Sequence, residues 1–421
     1  MNLEFEQKLE KYAEVILKVG LNLQPKQRLL IGGSNIASDG TPFEAAPLVR
    51  IIAKKAYQMG ARLVDVIWGD EQLRLIRYQY SPKKSLREYP KWRLDARLKN
   101  VQAGDASIQI VSPNPDLMKD VELSVLLKFS LFLIKNLKPV SNLVSKFASN
   151  WLVISTPNKA WADKILPQIP SDERIQKLWD ILFEICRITE EDPVSAWQNH
   201  NENLKKRCNY LNQKQYRALK LTSPETDLTV GLPKDHIWDG GGVLSQNGIK
   251  FTPNLPTEEI FTLPNKDQVD GIVKLTKPVI IQGQLIDDCT FRFSKGCITE
   301  AIAKVGNDVI DKIINVDEGA RRLGEIALVP HSSPISQTGL LFYNLLFDEN
   351  ASNHIALGQA FRNSLKNGNE LTDEEFLKVG GNNSTIHLDL MIGSGEMSVD
   401  GILDDETTEP IMRNGEWVFK I

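Results

Sequence analysis

Apolar positions along this chain change period near its middle. Up to about residue 190 they recur at helical spacing between short, solid apolar runs, whereas beyond residue 219 they alternate with polar ones. Leu3, Phe5, Leu9, Tyr12, Ala13, Ile16 and Leu17 predict a helix over 3–20 that Gly20 closes. QRLLI at 27–31 and RLVDVIW at 62–68 read as strands, with an amphipathic helix over 43–59 between them closed by Gly60. That order predicts a parallel α/β unit. Further strands are expected at 106–111 and 151–155, and helices around 70–79, 83–102, 116–137 and 171–190.

A charged helical pattern from Pro193 to Ala218 links the halves, and its Lys205-Lys206-Arg207 run reads as a solvated face. Residues 219–301 (LKLTSP, TDLTVGL, KPVIIQGQLI, CTFRFSKGCITEA) alternate with Pro and Gly between them, which predicts several antiparallel strands. The expected fold class is therefore α/β: a parallel-sheet α/β domain over 1–190, then an α+β domain over 191–421 with mostly antiparallel strands.

Composition narrows the partners. Fifty Lys and Arg against 54 Asp and Glu give a net charge of −4, so no basic excess points to nucleic acid. The longest apolar runs, such as 123–137, are broken by Lys128 and Lys135 and are too short for a bilayer, and the amino terminus lacks the apolar centre of a signal peptide. A cytoplasmic protein without a membrane partner is expected. Cys186, Cys208, Cys289 and Cys297 are scattered without C-x-x-C spacing and read as inert thiols. Gly32-Gly33-Ser34 lacks the spacing of a nucleotide loop and reads as a tight strand-end turn, and Asp70-Glu71 as the start of a helix. Asp239-Gly240-Gly241-Gly242 reads as a mobile turn, although glycines beside a peptide site also admit a substrate backbone.

The candidate chemistry lies between Glu325 and Asp389. The chain has five histidines, and two of them, His354 and His387, fall in this stretch beside carboxylates within apolar runs. In Ile386-His387-Leu388-Asp389-Leu390 the strand period projects His387 and Asp389 from one face. Burying such groups is costly unless a cation satisfies them, and imidazole with carboxylate is the usual ligand set of zinc, cobalt and manganese. Glu325 is expected to start the strand EIALVP after a short helix opening on Asp317, and DENASNHIALG to form a polar turn. Upstream, the adjacent acids Glu258 and Glu259 follow two prolines and precede Ile260 and Phe261, where a cation would relieve their repulsion. His236 and His331 are the remaining candidates for polar roles, and His331, directly after GEIALVP, reads as a loop histidine.

NLPTEEIFT at 254–262, GEIALVP at 324–330, DENASNHIALG at 348–358 and HLDLMIG at 387–393 together resemble the thermophilic aminopeptidases, a family of dinuclear metallo-exopeptidases. The likeness extends to YAEVILKVGLNLQP near the start, YLNQKQYRALKLTSPETDLTVGLP in the middle and EPIMRNGEW near the end. It implies that Glu259, Glu325, His354, His387 and Asp389 hold two divalent ions (Zn, Co, Mn or Mg) in a metal-binding catalytic domain. It further implies hydrolysis of the first peptide bond of peptides with a free amino terminus, through a water the two ions activate, in a homodimer. Five ligands are too few for two separate closed sites but suffice if a carboxylate and a water bridge ions roughly 3.5–4 Å apart. Which residue bridges stays open. Glu258, beside a ligand, is the expected general base, although strand alternation would turn it away from Glu259.

One position departs from the family pattern: Phe361 stands where a tyrosine is usual. It has no oxygen to ligate a metal or donate to an oxyanion, so weaker catalysis or altered metal preference is expected. Tyr343 is an alternative hydroxyl, expected to pack in a helix LLFYNLLF. Two other functions compete: an inactive homologue that binds peptide or metal, and a phosphate-ester hydrolase. The latter would want cations to hold phosphate, and Arg321, Arg322 and Arg362 all fall outside the motifs.

Overall fold

A computed structural model describes residues 3–32, 40–281 and 283–421. The chain divides into two compact units, one of residues 1–201 with 242–256 and the other of 202–241 with 257–421. The expected single cut at 190/191 is continuous in sequence, and the observed division is not. The reason lies in pairing. In the first unit Val153 N–H donates to Pro253 O at 2.8 Å and Leu255 N–H to Val153 O at 3.1 Å, so residues 253–255 extend the edge of that unit's sheet.

That sheet has four parallel strands, β1 (Arg28–Ile31), β2 (Leu63–Val66), β3 (Ala106–Val111) and β4 (Trp151–Ser155), in the order β2-β1-β3-β4. Leu29, Ile31, Ile108, Ile110, Leu152 and Ile154 share a core with Leu9, Tyr12 and Ile16 of the first helix and Ile52 of the second. Solid apolar runs suit strands covered on both faces. Asp70 caps the helix Glu71–Tyr80 by accepting from Gln72 N–H, and Gly33-Ser34 of the expected turn lie outside the described residues. Two helices differ from expectation. The one expected over 83–102 is a short 3-10 turn and then Lys91–Gln102, since Pro90 interrupts the pattern; the one expected over 116–137 runs from Leu123 to Ser145. Among the described residues no helix is long and apolar enough to cross a membrane.

The second unit holds two antiparallel sheets. The larger has nine strands and accounts for the alternating pattern at 219–301 together with the carboxy-terminal residues. The smaller carries the candidate chemistry: β5 (Ile260–Thr262), β6 (Leu323–Leu328), β7 (His354–Gly358) and β8 (His387–Met391), in that spatial order. One of its faces is a wall of buried Ile326, Leu328, Ile355, Leu357, Leu388 and Leu390. Register fixes what stands on the other. Ala327 pairs with His354 and His354 with Met391, while Glu325 pairs with Ala356 and Ala356 with Asp389. Phe261 pairs with Ala327, and His387 with Gly358. Directly paired residues share a face, so Glu325, His354, His387 and Asp389 all project from the side opposite the wall.

Candidate metal centre

Small residues make room for the cluster. Ala327 stands beside His354, Ala356 between Glu325 and Asp389, and Gly358 beside His387, so two acids and two imidazoles lean over positions that have no bulk of their own. Glu325 does not start its strand as expected. The strand opens at Leu323, and the register shifts between Leu323 and Glu325. Such a bulge re-aims the residue beside it. Gly324 permits it, because a Cβ there would lie 2.4 Å from Gly358 O and 2.5 Å from Gln359 O.

The resulting distances define two overlapping triads. His354 Nε2 lies 3.1 Å from Glu259 Oε2 and 3.5 Å from Glu325 Oε1, while His387 Nε2 lies 3.7 Å from Glu325 Oε2 and 3.3 Å from Asp389 Oδ1. Glu259, Glu325 and His354 form one group and Glu325, His387 and Asp389 the other, with the donor atoms of each within 4.8 Å of one another. Glu325 belongs to both, one oxygen turned to each histidine. His387 keeps 25% of its side-chain area exposed against 1–11% for the other four, so the cluster opens to solvent at that end.

Imidazole orientation is set from behind. His354 Nδ1 lies 3.1 Å from Ser352 O and His387 Nδ1 2.8 Å from Gln359 O. A carbonyl only accepts, so each Nδ1 carries hydrogen and donates, and in the neutral ring each Nε2 is left as a lone pair facing carboxylates. The buried Glu259 Oε2 has no hydrogen-bond donor even though His354 Nε2 is its neighbour. Acceptor facing acceptor in a buried site is unfavourable, and a cation between them removes the conflict. The donor set thus fits divalent metal. Without an ion, protons take its place. Burial opposes charge on both rings, but Asp389 and Glu325 outweigh it at His387, pushed up to about 9, and Glu259 and Glu325 raise His354 well above its usual value. Burial pushes Glu325 up, and it also works against ionising Asp389, where His387 and His354 overcome it and hold the carboxyl below its ordinary range.

Residues 5–417 match the thermophilic metalloprotease family (M29). The chain belongs to that family. It is 42% identical to Aminopeptidase 2 of Geobacillus stearothermophilus and 40% identical to Aminopeptidase AmpS of Bacillus subtilis, each alignment covering 99% of both chains. Its structure is similar to that of wild-type AmpT from Thermus thermophilus, with a TM-score of 0.91 at 37% identity over 99% of this chain and 100% of that one.

Three further residues of this metalloprotease were invisible as site residues in the sequence. Glu349 is half-buried, and burial together with Glu259 and Asp389 raises its carboxyl well above the usual range, so it stands within electrostatic reach of the cluster. Asn350 Oδ1 accepts Glu258 N–H at 2.7 Å, and Asn353 Oδ1 accepts Val329 N–H at 2.7 Å. Both asparagines are buried, and they tie the DENASNH segment to the strand ends on which Glu259 and Glu325 depend. The density of polar residues between Asp348 and His354 was the available signal. That segment is not the expected turn alone, since His354 opens β7.

Other expectations resolve differently. Tyr343 is not helical: the helix covers only Leu345–Asp348, and Tyr343 sits before it with φ 53°. Asp348 explains the bend, taking Phe342 N–H at 2.7 Å and Asn344 N–H at 2.9 Å on its two oxygens. Phe361 has its ring 4.9 Å from that of His387 and 5.9 Å from that of Phe261, an apolar shelf beside the cluster. His236, bonded through Nδ1 to Pro233 O, and His331, beside Ser336, belong to neither triad.

Proposed function

We propose that this metalloprotease is an aminopeptidase whose Glu259, Glu325, His354, His387 and Asp389 hold two divalent cations, with Glu325 as the shared bridge. The observation that carries this is the position of Glu325 in both triads, one carboxylate oxygen toward each imidazole. Ions bound there would supply Lewis acidity to the scissile carbonyl and lower the pKa of a water. The protein supplies the rest. Buried Glu258 is the general base, taking the attacking water's proton and passing it to the leaving amine. The alternation that would turn it away does not govern it, because the β5 ladder begins at Ile260 and the Glu258 N–H is held instead by Asn350 Oδ1. Glu349 adds a further carboxyl within electrostatic reach of the five donors. The substrates are peptides with a free amino terminus, and the enzyme is a homodimer, as the motif resemblance implies.

Metal analysis and hydrolysis of leucyl-p-nitroanilide after cobalt or zinc loading test this. Two ions per chain and turnover are expected, and Glu258→Gln should retain the metal while abolishing turnover. A loaded protein that hydrolyses no aminoacyl substrate would sink the peptidase reading, and an active Glu258→Gln would remove Glu258 from the base role. The silent binding protein has less support, since an idle site would be free to lose its donors and this chain keeps all five, in two triads that share Glu325.

A further inference from the structure

The sheet that carries four of the five donors has one more member. Asp239 pairs with Phe261 on the outer edge of β5, with Asp239 N–H donating to Phe261 O at 2.9 Å and Phe261 N–H to Asp239 O at 3.0 Å. Asp239, Phe261, Ala327 and His354 therefore form one continuous row across the sheet. Paired residues share a face, so the Asp239 carboxylate stands on the same side as the cluster. Gly240 makes this approach possible, because a Cβ there would lie 2.9 Å from Glu259 O. Three strand spacings separate Asp239 from His354, about 14 Å from backbone to backbone.

What lies between is apolar. The rings of Phe261 and Phe361 lie 5.9 Å apart, tilted by 59° and both half-buried, and Ala327 leaves a low point in the row between the Phe261 ring and His354. At the far end Asp239 accepts Gly240 N–H at 2.9 Å on Oδ1, Asn363 Nδ2 lies 3.5 Å from Oδ2, and the exposed Lys205 ammonium is 3.7 Å from Oδ1. An aromatic shelf ending in a carboxylate matches an amphipathic side chain, whose methylenes lie on apolar surface while its charged head finds a counter-ion. A substrate's α-amino group is a poor fit to Asp239, since it lies within two bonds of the carbonyl under attack and so stays at the cluster.

We propose that Asp239 is the specificity-determining end of the subsite for the substrate's first side chain, and that this subsite takes a long cationic side chain, lysyl or arginyl, laid across Phe261 and Phe361. The inference rests on the aminopeptidase reading. Its test is the ratio of kcat/KM for arginyl- over norleucyl-p-nitroanilide, measured on metal-loaded enzyme. Asp239→Asn keeps an acceptor for Gly240 N–H but removes the charge, and the ratio is expected to fall tenfold or more, chiefly through KM. Lys205→Met, on an exposed side chain, removes the competing ammonium and should raise the ratio two- to threefold. An unchanged ratio in either variant, or an equal loss on both substrates in Asp239→Asn, would overturn the proposal. Wild-type enzyme that cleaves norleucyl but not arginyl substrate would overturn it too, with the peptidase reading intact; cleavage of neither would bring down that reading and this one together.

Discussion

Replacing Glu325 by glutamine isolates the one side chain that the two triads share. Its Oε1 faces His354 and its Oε2 faces His387, so the amide can offer an oxygen to one triad only and turns an NH2 toward the other. A ligand that binds only the folded protein stabilises it by about 2.7 kcal/mol at a hundredfold excess over its Kd, so two such sites contribute about 5.4 kcal/mol. Glu325→Gln should leave one ion per chain at most, and the metal-induced stabilisation should drop to about 2.7 kcal/mol or less under the same loading. The metal-free protein should move the other way or not at all. Burial raises the Glu325 pKa, which means that ionising this carboxyl works against the fold, and a neutral isostere removes that cost. Denaturant unfolding with and without metal, alongside metal analysis, reads both effects. A variant that still binds two ions with undiminished stabilisation would refute the bridging role.

Metal-free protein should lose stability as pH rises. His387 is pushed up to about 9 from an ordinary value near 6.5, so its proton stabilises the fold fully below pH 6.5 and that contribution, on the order of 3 kcal/mol, is lost as pH rises through 9. Metal affinity should climb over the same window, with protons released on binding, and calorimetry in buffers of different ionisation enthalpy would detect it; a flat stability profile and no proton release would contradict the assignment. Phe361→Tyr places a hydroxyl on the ring beside His387 and is expected to raise turnover by about tenfold to a hundredfold. An unchanged rate and unchanged metal affinity would show that the missing hydroxyl has no role.

The sequence by itself determined the fold class. It rests on local periodicity, with solid apolar runs for the parallel strands and two-residue alternation for the antiparallel ones, and the same alternation puts His387 and Asp389 on one strand face. The motif resemblance named Glu259, Glu325 and His354 without showing where they meet. Tertiary structure decided the rest through cross-strand register, which no local pattern encodes. Register set small Ala327, Ala356 and Gly358 among the donors, and a bulge at Gly324 turned Glu325 toward both histidines. It also put Asp239 on the cluster's face, although in sequence it is only the start of a glycine-rich turn. The LLFYN segment misled because its helical apolar spacing competes with Asp348, whose buried carboxylate takes the backbone N–H groups of Phe342 and Asn344. That competition is settled by burial, and burial exists only once the chain has folded.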